Sequence, residues 1–461
     1  MRFMKKNAWT KYSEQEKKEV FQFSEGYKQF LTEHKTEREF VEGAVKLAEA
    51  HGFVNLETII KENGHLYKGS KVYVNNRGKA LALFIIGSEP LENGMRILGA
   101  HIDSPRLDVK PNPLYENAEF ALLDTHYYGG IKKYQWVALP LAIHGVVVKK
   151  DGTKLPLHIG ENETDPVVGV SDLLIHLASE QLKKNGSNVV EGEDLDIMIG
   201  SIPMKGCEKD AVKAAILKLL KEDYHFDEDD FLSAELEVVP AGKARDYGLD
   251  RSMILAYGQD DKVCSYISLQ AILNMEATDK TCVCLLVDKE EIGSYGATGM
   301  QSQFFENAVG ELCMLEGNAN FLSIHRAMQH SKMLSCDVNA GYDPLYEGVM
   351  DKKNASYLGK GIVFNKYTGS RGKSGGSDAN AEFIASLRTI MDQANVSYQL
   401  AELGKVDAGG GGTIAYILAN YNMDVIDSGI SVLSMHAPYE VTSKADIYEA
   451  YRGYVAFLKD A

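Results

Sequence analysis

No stretch of this 461-residue chain approaches the run of roughly 18 apolar residues that a membrane-spanning helix needs. The segment Met1 to Thr10 lacks the apolar centre of a secretory signal. Positive charge is also short. Against 65 Asp and Glu stand 49 Lys and Arg, and the formal net charge of −16 argues against nucleic acid or an anionic membrane as partner. Cysteine is scarce, with six residues (Cys207, Cys264, Cys282, Cys284, Cys313, Cys336) in neither the spacing of a zinc cluster nor that of a disulfide framework. Most fall inside apolar runs, and Cys282 and Cys284 are expected to pack on one side of a strand. Buried free thiols suit a reducing cytoplasm, which is the expected location. There is no internal repeat and no low-complexity tract beyond two glycine-rich loops.

What is present reads as a globular protein. Hydrophobic residues make up 45% and charged residues 25%, and 461 residues exceed one ordinary core, so two or more domains are expected. Thr36 to Glu39 is a capping-box pattern that opens a helix, with Phe40, Val41, Ala44, Val45 and Ala48 at helical spacing and Gly52 as its stop. Lys71 to Val74 and Leu81 to Ile86 read as a hairpin. Met95 to Leu98 is a strand leading to His101. From about 106 to 245 the texture changes to short β-like segments, Trp136 to Ile143 and Gly145 to Lys149, an apolar helix around Val170 to Leu182, and an acidic stretch. This region is expected to be an inserted domain, with 1–105 and 246–461 forming the other.

After the insertion a strand-then-helix rhythm returns. Strands are expected at Ser252 to Tyr257, Cys282 to Val287, Leu334 to Cys336, Gly361 to Phe364 and Ile430 to Met435. Helices are expected at Val263 to Met275, Met300 to Leu315, Ser377 to Asn395, Thr413 to Asn420 and Lys444 to Leu458. Alternation of this kind predicts an α/β domain with a mixed, largely parallel sheet and flanking helices.

The chemistry lies where these strands stop. His101, Asp260, Glu290 with Glu291, and Asp337 each follow a strand, and a fifth leads to His436. A histidine or glutamate pair at one strand end is by itself an ordinary surface feature. Five such coincidences, all expected on one sheet, are not explained by composition, and ligands bind beyond the carboxyl ends of open α/β sheets. Imidazole and carboxylate donors without thiolates suit a catalytic Zn²⁺, Co²⁺ or Mn²⁺. Five ligands exceed the about three that one catalytic zinc takes from protein. Two ions roughly 3.5–4 Å apart sharing a bridging carboxylate account for the excess. Strand alternation would put Asp103 on the face of His101, where a carboxylate can orient a ligating ring. Of Glu290 and Glu291, one is expected to face metal and the other substrate.

Gly99-Ala-His-Ile-Asp-Ser-Pro105, Asp260-Asp261, Glu290-Glu-Ile-Gly293, Ser335-Cys-Asp337 and Ser434-Met-His-Ala437 occur in this order. Over nearly the whole chain they resemble the motifs of the aspartyl aminopeptidase family of dinuclear metallo-aminopeptidases, in its bacterial form. The inserted region is similar too, notably Asp172 to Leu177 and Glu191 to Asp194. The resemblance implies a zinc-exopeptidase-like catalytic domain with an inserted β-rich dimerisation domain. It implies Asp260 as the carboxylate bridging two divalent ions, with Asp261 its rival. His101 and Asp337 would complete one ion, and Glu291 with His436 the other. Glu290 would be the general base and Asp103 the orienter of His101. Assembly would follow the family's dimers and tetrahedral dodecamers, in which a histidine of the inserted domain enters a neighbouring active site. His176 is the best match to it.

The expected reaction is release of N-terminal residues from peptides by a metal-bridged hydroxide with Glu290 as general base. An acidic N-terminal side chain needs a cationic pocket. Lys366, Arg371 and Lys373 are candidates, and the family's substrate-contacting lysine aligns with either Asn365 or Lys366. The glycine-rich loop around them departs from better-known members, so neutral residues are admitted beside Asp and Glu. Asp407 to Thr413, with Gly410, has no GK[ST] ending and no GxGxxG after a strand, so it is read as a loop approaching the peptide rather than a nucleotide site. Rivals remain: another dinuclear hydrolase such as a dipeptidase or N-deacylase, and an assembly scaffold with a vestigial site. A mononuclear metal-binding module is a third.

Overall fold

The computed structural model describes residues 6–318 and 320–461, so Met1 to Lys5 of the N-terminal segment read above lie outside the described residues. The chain divides into two compact units. One comprises Met1–Asp103, Ala244–Met435 and Glu440–Ala461, the other Ser104–Lys243 with His436–Tyr439. Among the described residues no helix is long and apolar enough to cross a membrane.

The first unit is α/β, built on a nine-stranded sheet. Its middle runs Thr281–Val287, Met95–His101, Lys332–Cys336 and Asp424–Gly429, all parallel to one another. Antiparallel strands on both flanks make the sheet mixed. All seven residues of Thr281–Val287 are buried. Period-two alternation divides them between two cores. Cys282, Cys284 and Leu286 pack with Ile267, Tyr454 and Phe457 on one face, and both thiols share that side as expected. Val283, Leu285 and Val287 pack with Phe305, Val309 and Met333 on the other. The capping box at Thr36 and Glu39 opens the helix Glu37–Ala50.

One expectation fails instructively. The five ligand-bearing strands do not share a sheet. Met253–Ala256 and Ser431–Leu433 belong to a separate five-stranded sheet, with Arg245–Tyr247, Glu440–Ser443 and Asn339–Ala340. The strand expected at Ile430 to Met435 is the shorter Ser431–Leu433, and a further strand before it, Asp424–Gly429, stays in the large sheet. Gly429 marks the change, because a Cβ there would collide with the Asp337 carbonyl. The expected helices at Met300 and Thr413 shorten to Phe304–Leu315 and Ala415–Ala419.

The second unit holds a six-stranded antiparallel sheet and the helix Ala211–Asp223. Two segments read as separate strands are one, Leu141–Val148. Gly145 lets it pass close to Glu235, where a Cβ would meet the backbone carbonyl. The expected helix over Val170 to Leu182 is absent. The segment forms two short 3₁₀ turns, Ile175–Leu177 and Gln181–Lys183. Its apolar side chains at 173, 174, 175, 177 and 182 are 45–68% exposed. A helix gains most of its stability by burying such a face, and within this unit nothing covers it.

The C-terminal helix Lys444–Asp460 begins on a buried charge. The Lys444 side chain is fully buried, with Nζ 2.8 Å from Asp246, which also holds Lys28 at 2.5 Å. Its ammonium lies 4.5 Å from the Phe21 ring centre. Asp246→Ala leaves that ammonium without its nearest counter-ion. We expect a loss of roughly 3 kcal/mol, read as a lower urea midpoint, at the modest end for a broken buried pair because Asp246 itself is partly exposed. An unchanged midpoint would show that Glu25, 3.8 Å from Lys444, compensates.

Candidate active site

His101 ends the Met95–His101 strand and is buried. Its Nε2 lies 3.2 Å from Asp260 Oδ1, 3.8 Å from Asp337 Oδ1 and 3.9 Å from Glu290 Oε2. On the other side of the ring, Nδ1 is 3.3 Å from Asp103 Oδ1 and 3.1 Å from the Asp103 carbonyl. Both of those atoms accept, so Nδ1 carries the proton and Nε2 turns its lone pair toward the carboxylates when the ring is neutral. The Ser265 hydroxyl fixes the His101 carbonyl from the neighbouring helix, at 2.6 Å.

The carboxylates arrive from separate elements. Asp260 stands at the start of the helix Gln259–Leu273, after Gly258 in the left-handed region, and its N–H donates to Glu440 at 3.0 Å. The Asp260–Asp261 peptide is cis. Asp337 follows Lys332–Cys336, its N–H donating to the Ser428 carbonyl at 3.1 Å. Glu290 and Glu291 do not sit on the strand end itself. Lys289 (φ +69°) reverses the chain and the two form a 3₁₀ turn. Their backbone N–H groups donate to the two oxygens of Asp103, at 3.1 and 3.2 Å. Asp103 therefore holds both the histidine ring and the glutamate turn, and only the first of these was expected.

The crowding is electrostatically costly. Burial pushes the Asp337 carboxyl well above the usual carboxylate range, repulsion from Asp261 adds to it, and His101 offsets only part. Burial also drives Asp261 up, and His101 offsets only part of that. Burial disfavours a charged His101, yet Asp103 and Asp260 more than compensate and raise it. Such a set relaxes by taking up protons or a cation. The donors are imidazole and carboxylate, and His101, Asp260 and Asp337 each offer one atom within 4.8 Å of the others, which fits a divalent ion. Asp260 and Glu291 also offer oxygens within 4.8 Å of each other.

The first unit thus brings together His101, Asp103, Asp260, Asp337, Glu290 and Glu291. His436 belongs to the second unit, although Met435 and Glu440, which flank the segment His436–Tyr439, belong to the first. It adopts φ +64°, and its Nδ1 lies 2.8 Å from the Gly130 carbonyl, so here too Nε2 is left as the lone-pair nitrogen. His176 sits exposed in the second unit, in a 3₁₀ turn rather than the expected helix. Lys366 is exposed, whereas Asn365 points its Oδ1 at the Asn339 amide, 3.0 Å away. Gly410 packs against Ser370 of the other glycine-rich loop. Sequence reasoning missed Glu440 and Ser265. Both act through backbone groups of candidate ligand residues, which leaves no pattern in the chain.

A lone-pair imidazole among carboxylates, with His101 and Asp337 at the ends of adjacent parallel strands, defines an α/β metallohydrolase centre. Residues 30–458 match the aminopeptidase I zinc metalloprotease (M18) family, and the chain belongs to it, as the ordered motifs implied. A probable M18 family aminopeptidase 1 from Clostridium acetobutylicum is 61% identical over 99% of this chain and 98% of its own. The crystal structure of an M18 aminopeptidase from Thermotoga maritima aligns with a TM-score of 0.95 at 43% identity, covering 99% of this chain and 100% of that one. A yeast relative described as a dodecamer shares the fold, with a TM-score of 0.74 at 19% identity. The protein is a metal-dependent aminopeptidase, an exopeptidase of a zinc family.

Proposed function

We propose that the site works with two divalent ions, Zn²⁺ by preference, with Co²⁺ and Mn²⁺ also suiting the donors. Asp260 would be shared between them, His101 and Asp337 would hold one, and Glu291 with His436 would hold the other. The observation that carries this is the His101 ring. Its Nδ1 is held by Asp103 while three carboxylates stand within 3.9 Å of Nε2. His436 is held through Nδ1 in the same manner.

Bound there, the ions would acidify a water toward neutral pH and polarise the scissile carbonyl. Glu290 takes that water's proton on its carboxylate and delivers it to the departing amine. Asp103 keeps the His101 ring and the Glu290 turn in register during the transfer. The carboxylates around the site favour a free, positively charged α-amino group, which restricts cleavage to the peptide N-terminus. Lys366 and Gly410 contact the substrate from their loops. Acidic first residues are accepted and neutral ones also, since Lys366 is exposed and Asn365 is neutral.

The inserted unit, taken as about 106–245, serves self-association. Its uncovered apolar residues 173–182 support this, as does the assembly of the yeast relative. Dimers would build a tetrahedral dodecamer in which His176 reaches a neighbouring site. A cytoplasmic location agrees with five buried cysteines and no disulfide among the described residues.

A panel of aminoacyl chromogenic substrates, acidic and neutral, tests the reading. Chelation should abolish turnover of every substrate, and zinc should restore it. Turnover that survives exhaustive chelation would overturn the metal assignment. Activity on N-acylated amines alone would move the protein to the deacylases.

A further inference from the structure

Three adjacent strands of the first unit carry a polar residue at one level. Ser335 and Asn365 stand directly opposite Asp427 from its two sides. The surrounding face is apolar, since Met333 and Val425, two residues before Ser335 and Asp427, pack in the core. A carboxylate in that setting calls for a partner, and it has one. Asp427 is 3% exposed and accepts the Thr413 hydroxyl at 2.5 Å. The same hydroxyl oxygen accepts the Ala415 N–H at 3.2 Å, so its direction is set from two sides. Burial outweighs the lowering by the Thr413 and Ser335 hydroxyls and leaves Asp427 raised to about 6.

Thr413 closes the run Gly409 to Gly412. Four glycines supply no side chains that could hold them in place, and glycine is the residue with most conformational freedom to lose. The run is nonetheless seated. Gly410, at φ +155°, lies so close to Ser370 that a Cβ would collide with it. The Gly369 N–H donates to the Gly411 carbonyl at 2.9 Å. The loops 366–378 and 407–413 are thus fastened backbone to backbone, and the pair is pinned to the sheet where Thr413 meets Asp427. The row also reaches the chain just past Asp337, because Asn365 accepts from Asn339, two residues beyond it.

We propose that Asp427 and Thr413 are positioning residues for the aminopeptidase reaction, fixing the paired glycine-rich loops at the height where they meet the substrate. This rests on the reading that Lys366 and Gly410 contact the peptide. Neither Asp427 nor Thr413 touches substrate or metal in this account, so their loss should spare the ligands.

The test compares Thr413→Val, which removes the hydroxyl at similar volume, with Thr413→Ser, which keeps it. Zinc content, melting temperature, kcat and KM are measured on the zinc-loaded full chain with one aminoacyl p-nitroanilide. Thr413→Val should raise KM by roughly 10–100-fold, the scale of a small misplacement of substrate-positioning groups, with zinc content and kcat near the parent's. Thr413→Ser should return KM toward the parent value. A parental KM in Thr413→Val overturns the proposal. So does a joint fall of zinc content, kcat and melting temperature without rescue by serine, which marks a general structural role. Glu290→Gln run alongside separates the levels: if it is inactive while Thr413→Val is normal, the loop anchor fails and the site reading stands.

Discussion

Glu290→Gln is expected to lower kcat by roughly 10²–10⁴-fold, the usual range for losing a general base, with zinc content unchanged. The substitution keeps the side chain's shape and leaves the backbone N–H free to donate to Asp103 as before. What disappears is the ability to take a proton. The choice of Glu290 over its neighbours follows from position. Its side chain is 18% exposed, against 12% for Asp337 and 5% for Asp260, so it is the one of these three most open to substrate and water. Glu291→Gln supplies the contrast, since a ligand's loss should show first as a lower zinc content and be relieved by excess metal. The two variants together test the division of labour between adjacent carboxylates. Equal zinc loss in both, or parental turnover in Glu290→Gln, would break it.

That division could not be read from order along the chain. What the sequence did carry were strand ends. Thr281–Val287 announces itself by an unbroken apolar run, because a central parallel strand is buried on both faces. The residues that follow such a strand fall at the ligand-binding edge, and His101 and Asp337 were legible for that reason. Asp260 and His436 were legible as residues but not as architecture. Their strands lie in a second sheet, and the change of sheet between Asp424–Gly429 and Ser431–Leu433 leaves no signal in hydrophobicity. The segment Val170 to Leu182 misled in the opposite sense. Its periodicity describes a face that wants burial, and an apolar face does not say whether its own chain covers it. The second task of Asp103 escaped because it joins side chain to backbone across a separation of 187 residues.

Asp103→Asn carries the second large effect. The carboxylate serves three donors at once, His101 Nδ1–H and the N–H groups of Glu290 and Glu291. An ionised carboxylate can accept all three, because it offers about four lone-pair positions and no hydrogen. An amide offers one acceptor oxygen, and its NH₂ would confront one of the two backbone donors. The turn carrying both glutamates must then shift, or the histidine ring must turn. Losing the carboxylate partner of a ligating histidine typically lowers metal affinity or activity roughly 10–100-fold. Here the loss should divide into two parts. Zinc titration recovers the share that came from weakened binding at His101. A deficit in kcat should persist at saturating zinc if Glu290 is the general base, since its turn remains displaced. Full recovery of kcat with excess zinc would mean that Asp103 acts on the ring alone and that the paired N–H bonds to the glutamate turn carry no catalytic weight.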